Sequence, residues 1–316
     1  MRRGSATEQE VRVVYNPASG GAAGHTARDL RRELRDLRPE LVVTGDKGDA
    51  YDAARSWRRG LIVAAGGDGT VNEVVNGLGG AGFPEGVTLA VLPLGTGNDL
   101  AATLGIPACP KKAVPILLQG ITRKLDAARL RLEEGESFFA NVAAGGLGAE
   151  VSAAADDKKT KRRWGRVSYL RASLAALRDR TAHRLRLELD GTRHDLEALN
   201  VTVGNCRYAG GGWPAAPGAN PEDGLLDVVV LKDGGTTDLL LLAPRALADR
   251  DYTRSRSVFA ARARSMRVES EPDLGFTADG ELIGKTPVEF AVLPRSLHVI
   301  VGPEYTPEAS PRARSE

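Results

Sequence analysis

The sequence predicts an α/β protein of two domains: an N-terminal doubly wound parallel sheet, then a mainly antiparallel β domain of the sandwich type. Three observations predict it. From residue 11 to about residue 120, short apolar runs alternate with stretches rich in Ala, Leu, Arg and Asp. After about residue 125 the rhythm changes to strands separated by turns. The chain has 316 residues, long enough for two domains at roughly 150 residues each.

Residues 11–15, 41–43, 61–65 and 87–92 are β-branched and almost continuously apolar, as strands buried on both faces of a parallel sheet require. Between them, residues 26–38 and 49–59 read as amphipathic crossover helices. In the second half, strands are expected over residues 138–143, 184–189, 194–203, 225–231 and 288–293, and Asp190-Gly191 is a hairpin signal. One helix is expected over residues 167–180, where Val167, Leu170, Leu174 and Leu177 recur at helical spacing, a stripe that suits core packing. The expected domains are 10–126, with 295–305 returning to it, and 127–294. The Pro-, Arg-, Ser- and Glu-rich end, 306–316, reads as a disordered tail.

Composition narrows the class. Hydrophobic residues make up 42% and charged residues 27%, a globular balance. The start lacks the apolar run of a secretory signal, and no stretch nears the roughly 20 apolar residues of a membrane span; the longest candidate, 239–242, is far too short. Cys109 and Cys206 fit neither a disulfide framework nor a paired metal motif, which suits a cytosolic protein. A net charge of +2 gives no argument for nucleic acid as a partner. His25, His183, His194 and His298 show no ligand spacing.

Three glycine-rich segments follow expected strands directly, where an α/β sheet presents its ligand site. They are Asn16-Pro17-Ala18-Ser19-Gly20-Gly21, then Gly66-Gly67-Asp68-Gly69-Thr70-Val71-Asn72-Glu73, then Pro93-Leu94-Gly95-Thr96-Gly97-Asn98-Asp99. Each alone suits an ordinary tight turn. Three after consecutive strands suit a polyphosphate, because glycine lets the backbone approach the ligand and helix-start N–H groups favour phosphate. None has the spacing of a Walker loop or a dinucleotide fingerprint. Asp68 reads either as a turn cap or as a carboxylate facing magnesium or phosphate.

These segments resemble the diacylglycerol kinase catalytic-domain family, which includes bacterial lipid kinases and the sphingosine and ceramide kinases. The resemblance runs from about Val11 to Val301 and implies an NAD-kinase-like nucleotide domain followed by a lipid-substrate β domain. It implies ATP contacts from Asn16, Pro17, Ala18, Ser19 and Gly20, from Thr44 ahead of Gly48-Asp49-Ala50, from Gly67, Asp68, Gly69, Thr70, Val71, Asn72 and Glu73, and from Thr96. It makes Asp279, in Thr277-Ala278-Asp279-Gly280-Glu281, the counterpart of the family's general base, although the residues alone read as a hairpin turn. Asp126 matches an aspartate linked to Asp68 around a catalytic magnesium. Asn220-Pro221-Glu222-Asp223-Gly224-Leu225-Leu226-Asp227 resembles a loop that holds a structural magnesium through the Asp223 side chain and the carbonyls of Asn220 and Leu225, oxygen ligands of the kind a hard cation prefers. Gly21 departs from the pattern; bacterial members often carry lysine there.

The resemblance implies an ATP- and magnesium-dependent kinase that phosphorylates a lipid hydroxyl, most simply that of diacylglycerol. Asp279 would take the alcohol proton, and Asp68 and Asp126 would hold the metal. A cytoplasmic enzyme acting on a bilayer lipid must touch the membrane peripherally. Lys158, Lys159, Lys161, Arg162, Arg163 and Arg166, beside Trp164 and Tyr169, suit an anionic surface or a plain solvated face. Arg254, Arg256, Arg262, Arg264 and Arg267 form a weaker second group. An NAD kinase, which shares the Gly-Gly-Asp-Gly-Thr loop, is the nearest rival, disfavoured by the Asn-Pro-x-Ser-Gly and Gly-Thr-Gly-Asn-Asp segments. A non-catalytic lipid-binding relative is the second rival, disfavoured by the four carboxylates Asp68, Asp126, Asp223 and Asp279. The acceptor lipid stays open, as does a homodimeric state.

Overall fold

The computed structural model describes residues 10–20, 26–146, 181–233 and 252–307. Strand β1 (Val11–Tyr15) pairs in parallel with β2 (Glu40–Val43) and with β3 (Gly60–Gly66), and β3 pairs in parallel with β4 (Val87–Pro93). The expected order of parallel strands is therefore present. Their apolar residues, among them Val13, Val14, Ile62, Val63, Leu89 and Leu92, are buried. Helices α1 (Ala27–Glu33), α2 (Asp49–Arg55), α3 (Asp68–Gly80), α4 (Asp99–Thr103) and α5 (Pro110–Gln119) supply Leu30, Ala54, Leu78, Leu100 and Leu117 to the same core.

Two helices are shorter than their patterns suggest. Thr26 and Asp29 cap α1 reciprocally. The helix gives way to a short 3-10 turn that ends on Arg38 at φ 46, because Pro39 disfavours helical backbone in the residue before it. α2 stops at Arg55, and Trp57 turns into the core with the Arg12 guanidinium 4.4 Å above its ring. Helix α3 begins inside the second glycine-rich segment. Its four glycines hide it from propensity, but a Cβ on Gly77 would lie 2.3 Å from the Tyr51 carbonyl oxygen, so this glycine lets α2 and α3 approach closely.

The second half is antiparallel. Its strands are β5 (Thr122–Leu132), β6 (Gly135–Phe139), β7 (Val142–Gly146), β8 (His183–Leu189), β9 (Thr192–Gly204), the short pair β10 (Tyr208–Ala209) and β11 (Trp213–Pro214), β12 (Leu226–Lys232), β13 (Val258–Ala263), β14 (Ser265–Glu271), β15 (Gly275–Ala278), β16 (Glu281–Lys285) and β17 (Val288–Ile300). Asp190-Gly191 forms the tight turn of the β8–β9 hairpin, with Leu189 opposite Thr192. A second core gathers Leu130, Phe139, Leu187, Val201, Val228, Phe276 and Phe290, with Phe276 and Phe290 rings 5.5 Å apart. The strand expected over residues 138–143 is instead two strands, interrupted at Ala140-Asn141, where the backbone turns its N–H groups to a carboxylate described below.

β17 is more than the 288–293 strand its pattern suggests. It pairs along its length with β5, bulges between Leu293 and Leu297, and places Val299 in parallel register with Leu89 of β4. One strand thus serves both halves. Among the described residues no helix is long and apolar enough to cross a membrane. The expected helix at 167–180, the basic cluster from Lys158 to Arg166, Gly21 and the tail beyond residue 307 lie outside the described residues. In the second basic group, Arg267 pairs with Glu269 and Glu289, and Arg262 with Asp223 and Asp227.

Gly77→Ala should lower unfolding free energy by about 1–3 kcal/mol, because overlap with the α2 backbone outweighs the gain of about 1 kcal/mol in helix propensity. Urea denaturation checks this; an unchanged or raised midpoint would mean that the α2–α3 contact has slack.

Candidate active site

The loops after β1, β3 and β4 meet at the carboxyl ends of the parallel strands. A Cβ on Gly95 would lie 2.4 Å from the Gly67 Cα, and one on Gly97 would lie 2.3 Å from Asp68 Oδ2; only glycine permits this packing. Gly20 is also close to the Thr96 hydroxyl, which lies 3.0 Å from its would-be Cβ. Asn16 organises the first loop. Its side-chain oxygen accepts from Ala18 N–H at 2.9 Å and its amide donates to the Thr70 hydroxyl at 3.1 Å. The Ser19 hydroxyl oxygen is buried with no hydrogen-bond partner, and Pro17, Ala18, Gly20 and Thr96 are exposed. Helix α3 starts after Gly67, which offers no side-chain cap, so its first N–H groups point out of a strand end as a polyphosphate site requires. These features fit ATP phosphates.

Several expected contacts have other partners. Val71 is buried in the core and its N–H donates to Gly67 O at 3.1 Å. Glu73 accepts from the N–H groups of Gly48 and Ala50 at 3.1 and 3.2 Å, capping α2. Asn72 is buried and donates to the Ala278 carbonyl at 3.4 Å, joining α3 to β15. Thr44 is buried, and both its N–H and its hydroxyl donate to the Tyr15 carbonyl. Gly69 faces the β15–β16 hairpin, where Lys47 and Glu281 form an ion pair at 2.8 Å.

Asp68 is the first residue of α3, and its carboxylate accepts from the N–H groups of Asn98 and Asp99 at 2.9 and 2.8 Å, tying the second loop to the third. Asp99 is buried and accepts from Gly211 and Gly212 N–H, each at 2.8 Å. Burial, then the nearby Asp68 charge, pushes the Asp99 carboxyl up to about 6. Asp99 lies within a segment legible in the sequence, but its role depends on Gly210-Gly211-Gly212 more than a hundred residues on. That run of three glycines was the one signal available.

Asp279 sits in the turn after β15 at φ 46. Its carboxylate accepts from Ala140, Asn141 and Val142 N–H at 3.1, 3.2 and 2.9 Å, which is why the strand breaks there. Burial pushes its carboxyl up to about 7 against the pull of those three bonds, and the Asp68 charge adds to the rise. The site therefore unites Asp68, Asp99 and Asp279.

Asp126 has different neighbours. It is wholly buried and accepts from Arg295 and Gly224 N–H, both at 2.7 Å, so it belongs with the 220–225 loop. In that loop Asp223 Oδ1 accepts from Leu225 N–H at 3.1 Å, and the Asn220 carbonyl receives Asp223 N–H at 3.4 Å. Among the described residues no three His, Cys, Asp or Glu side chains converge as a metal cage. One carboxylate with main-chain carbonyls is the donor set this loop offers, and it fits a hard cation.

The fold and site define a kinase built on an α/β phosphate-binding half and a β-rich half. The family model for the diacylglycerol kinase catalytic domain matches residues 10–130, and that for the YegS C-terminal NAD kinase beta sandwich-like domain matches residues 141–301. A diacylglycerol kinase of Mycobacterium tuberculosis (strain ATCC 25618 / H37Rv) is 34% identical over 304 residues, covering 92% of this chain and 94% of that one. A diacylglycerol kinase of Bacillus subtilis (strain 168) is 31% identical over 303 residues, covering 94% and 97%. A crystal structure of a presumptive diacylglycerol kinase from Bacillus anthracis str. Sterne superposes with a TM-score of 0.77 at 27% identity, covering 97% of this chain and all of that one. The chain belongs to the diacylglycerol kinase family and is, in class, a lipid kinase.

The Asp279 environment has a thermodynamic signature. An unfolded aspartate loses its proton near 3.8 and the folded one near 7, so the folded chain binds more protons between those values. Stability from this group is therefore full below pH 4 and declines as pH rises to 7. In magnesium-free urea melts, the wild type should lose up to about 2 kcal/mol relative to Asp279→Asn between pH 5 and pH 7. Parallel pH profiles would show that Asp279 titrates normally.

Proposed function

We propose that the protein transfers the γ-phosphate of ATP to a hydroxyl of a membrane lipid, with diacylglycerol as acceptor and phosphatidic acid as product. The observation that carries this reading is Asp279: a carboxylate fixed by three N–H groups, electrostatically coupled to Asp68 beside the phosphate-suited loops, and poised near neutrality. An alcohol is a weak nucleophile and a weak acid, so its proton must leave as the O–P bond forms. A carboxylate with a pKa near 7 balances availability against basicity. The N–H groups at the start of α3 and the loops around Gly67, Gly95 and Gly97 would hold the phosphates in line for displacement.

Magnesium, when bound, would neutralise charge on the phosphate oxygens; Asp68 and Asp99 would hold it at the reacting centre, and Asp223 with the Asn220 and Leu225 carbonyls would hold a structural ion. Asp126 would support the second site through its bond from Gly224 N–H. The names of the relatives support diacylglycerol over NAD as acceptor. Peripheral docking on an anionic cytoplasmic membrane face, through the basic segment 158–166, completes the reading.

The experiment is incubation with labelled ATP, a total lipid extract and, separately, NAD. Labelled phosphatidic acid is expected. Label in NADP would install the rival, and label in a different lipid would change the acceptor.

Asp279→Asn should reduce turnover by about a hundredfold or more while ATP affinity stays within a few-fold, since the amide keeps the shape but takes no proton. Retention of more than about a tenth of the rate would remove Asp279 from the base role. The wild-type rate should rise with pH through about 7, as the base form is the deprotonated one.

Gly67→Val would press its side chain on the Gly95 backbone, 3.1 Å from the position of a Cβ, and open the phosphate loops. ATP affinity by calorimetry should fall more than about tenfold, the scale of one lost hydrogen bond to a charged group. Unchanged affinity would place the nucleotide elsewhere.

A further inference from the structure

Asp227 on β12 and Arg262 on β13 face each other directly in the antiparallel register. The Arg262 guanidinium lies 3.5 Å from Asp227 Oδ1 and 3.6 Å from Asp223 Oδ2, and donates to the Gly218 carbonyl at 3.2 Å. The two acids differ in setting. Asp223 is the exposed residue of the 220–225 loop, whereas Asp227 is only 8% exposed and its Oδ2 has no hydrogen-bond partner among the described residues. A buried carboxylate oxygen without a donor is costly, and a guanidinium 3.5 Å away that spends half its surface in water compensates it incompletely. Beneath them Asp126 adds a third negative charge, whose interaction with Asp223 is repulsive. Asp223 and Asp227 thus share one guanidinium, beside a loop whose Asn220 and Leu225 carbonyls are also electron-rich oxygens.

We infer that Asp227 is a second carboxylate of this cation site and that Arg262 is its internal competitor. The guanidinium neutralises Asp223 and Asp227 when the divalent cation is away, and yields to it when it binds. This rests on the reading of the 220–225 loop as a cation site. Three features make the exchange workable. The cross-strand register holds Arg262 within reach of both acids. Its side chain is 47% exposed, so displacement leaves it hydrated. The unpartnered Asp227 oxygen gains a ligand only when a cation arrives. The device keeps the loop folded without metal and lowers its affinity for metal.

The test uses the full chain without nucleotide, with magnesium chloride and EDTA as the two states. Arg262→Gln should bind magnesium roughly threefold to tenfold more tightly than wild type by calorimetry, the scale of losing one or two half-exposed ion pairs. Its thermal midpoint should drop in EDTA and recover in magnesium, while the wild type moves little. Asp227→Asn should weaken magnesium binding, and Asp223→Asn should abolish it at this site. If Arg262→Gln and Asp227→Asn bind magnesium as wild type does while Asp223→Asn does not, the competitor role is wrong and the cation site stands. If Asp223→Asn binds magnesium unchanged, the cation site itself is wrong. Should Arg262→Gln fail to fold, the wild-type Arg262 Nε resonance, assigned with Arg262→Lys, decides. A shift on adding magnesium supports the exchange, and an unmoved resonance at saturation overturns it.

Discussion

Asp126 is wholly buried, and a carboxylate taken out of water costs several kcal/mol unless its oxygens find donors. Both do. One takes the N–H of Arg295 at the β17 bulge and the other the N–H of Gly224, while the Asp126 N–H donates to Pro221. Two segments far from it in sequence therefore converge on this one residue at the start of the β-rich half. The bulge carries β17 from its partner β14 to its partner β4, so fixing Arg295 fixes how the second half meets the first. Asn205, buried and donating to the carbonyls of Asp126 and Ala140, extends the tie to the backbone that cradles Asp279.

The same device recurs around Asp68, Asp99 and Asp279, each satisfied by main-chain N–H groups. A backbone donor stabilises negative charge without adding a formal positive one, so the centre remains an attractive place for a cation, while burial raises the Asp99 and Asp279 carboxyls against the pull of those bonds. A lysine in the same position would have drawn Asp279 down toward its ordinary value. The strand break at Ala140-Asn141 follows from this: the sheet gives up ladder positions so that successive N–H groups can converge on one carboxylate.

What was legible in the sequence was local. Residues 11–15, 61–65 and 87–92 spell buried parallel strands, and the structure places them within a residue or two; Asp190-Gly191 spells a turn and makes one. What was hidden is set by distant partners. Residues 138–143 are apolar apart from Asn141, and nothing else in them signals a break that exists to serve Asp279. The glycines of α3 lower helix propensity, and the close approach of Gly77 and Gly80 to Tyr51 and of Gly79 to Phe138 explains three of them. Proximity in sequence also misleads: Val71 and Glu73 adjoin the phosphate-suited turn, yet one faces the core and the other caps α2. Asp99 was in view, but nothing near it announced the three glycines that hold it.

The sharing of β17 between both cores has a biosynthetic consequence. Leu89 of β4 takes its neighbour Val299 from β17, the last strand among the described residues. During synthesis the parallel sheet therefore stands with a hydrophobic edge uncovered until the strands between β4 and β17 have been made, and contacts of such long sequence separation form slowly. An open strand edge is a template for pairing with another chain. Severing the chain between its halves would make that temporary edge permanent, so the nucleotide half expressed alone would lack the strand that finishes it and would associate through β4.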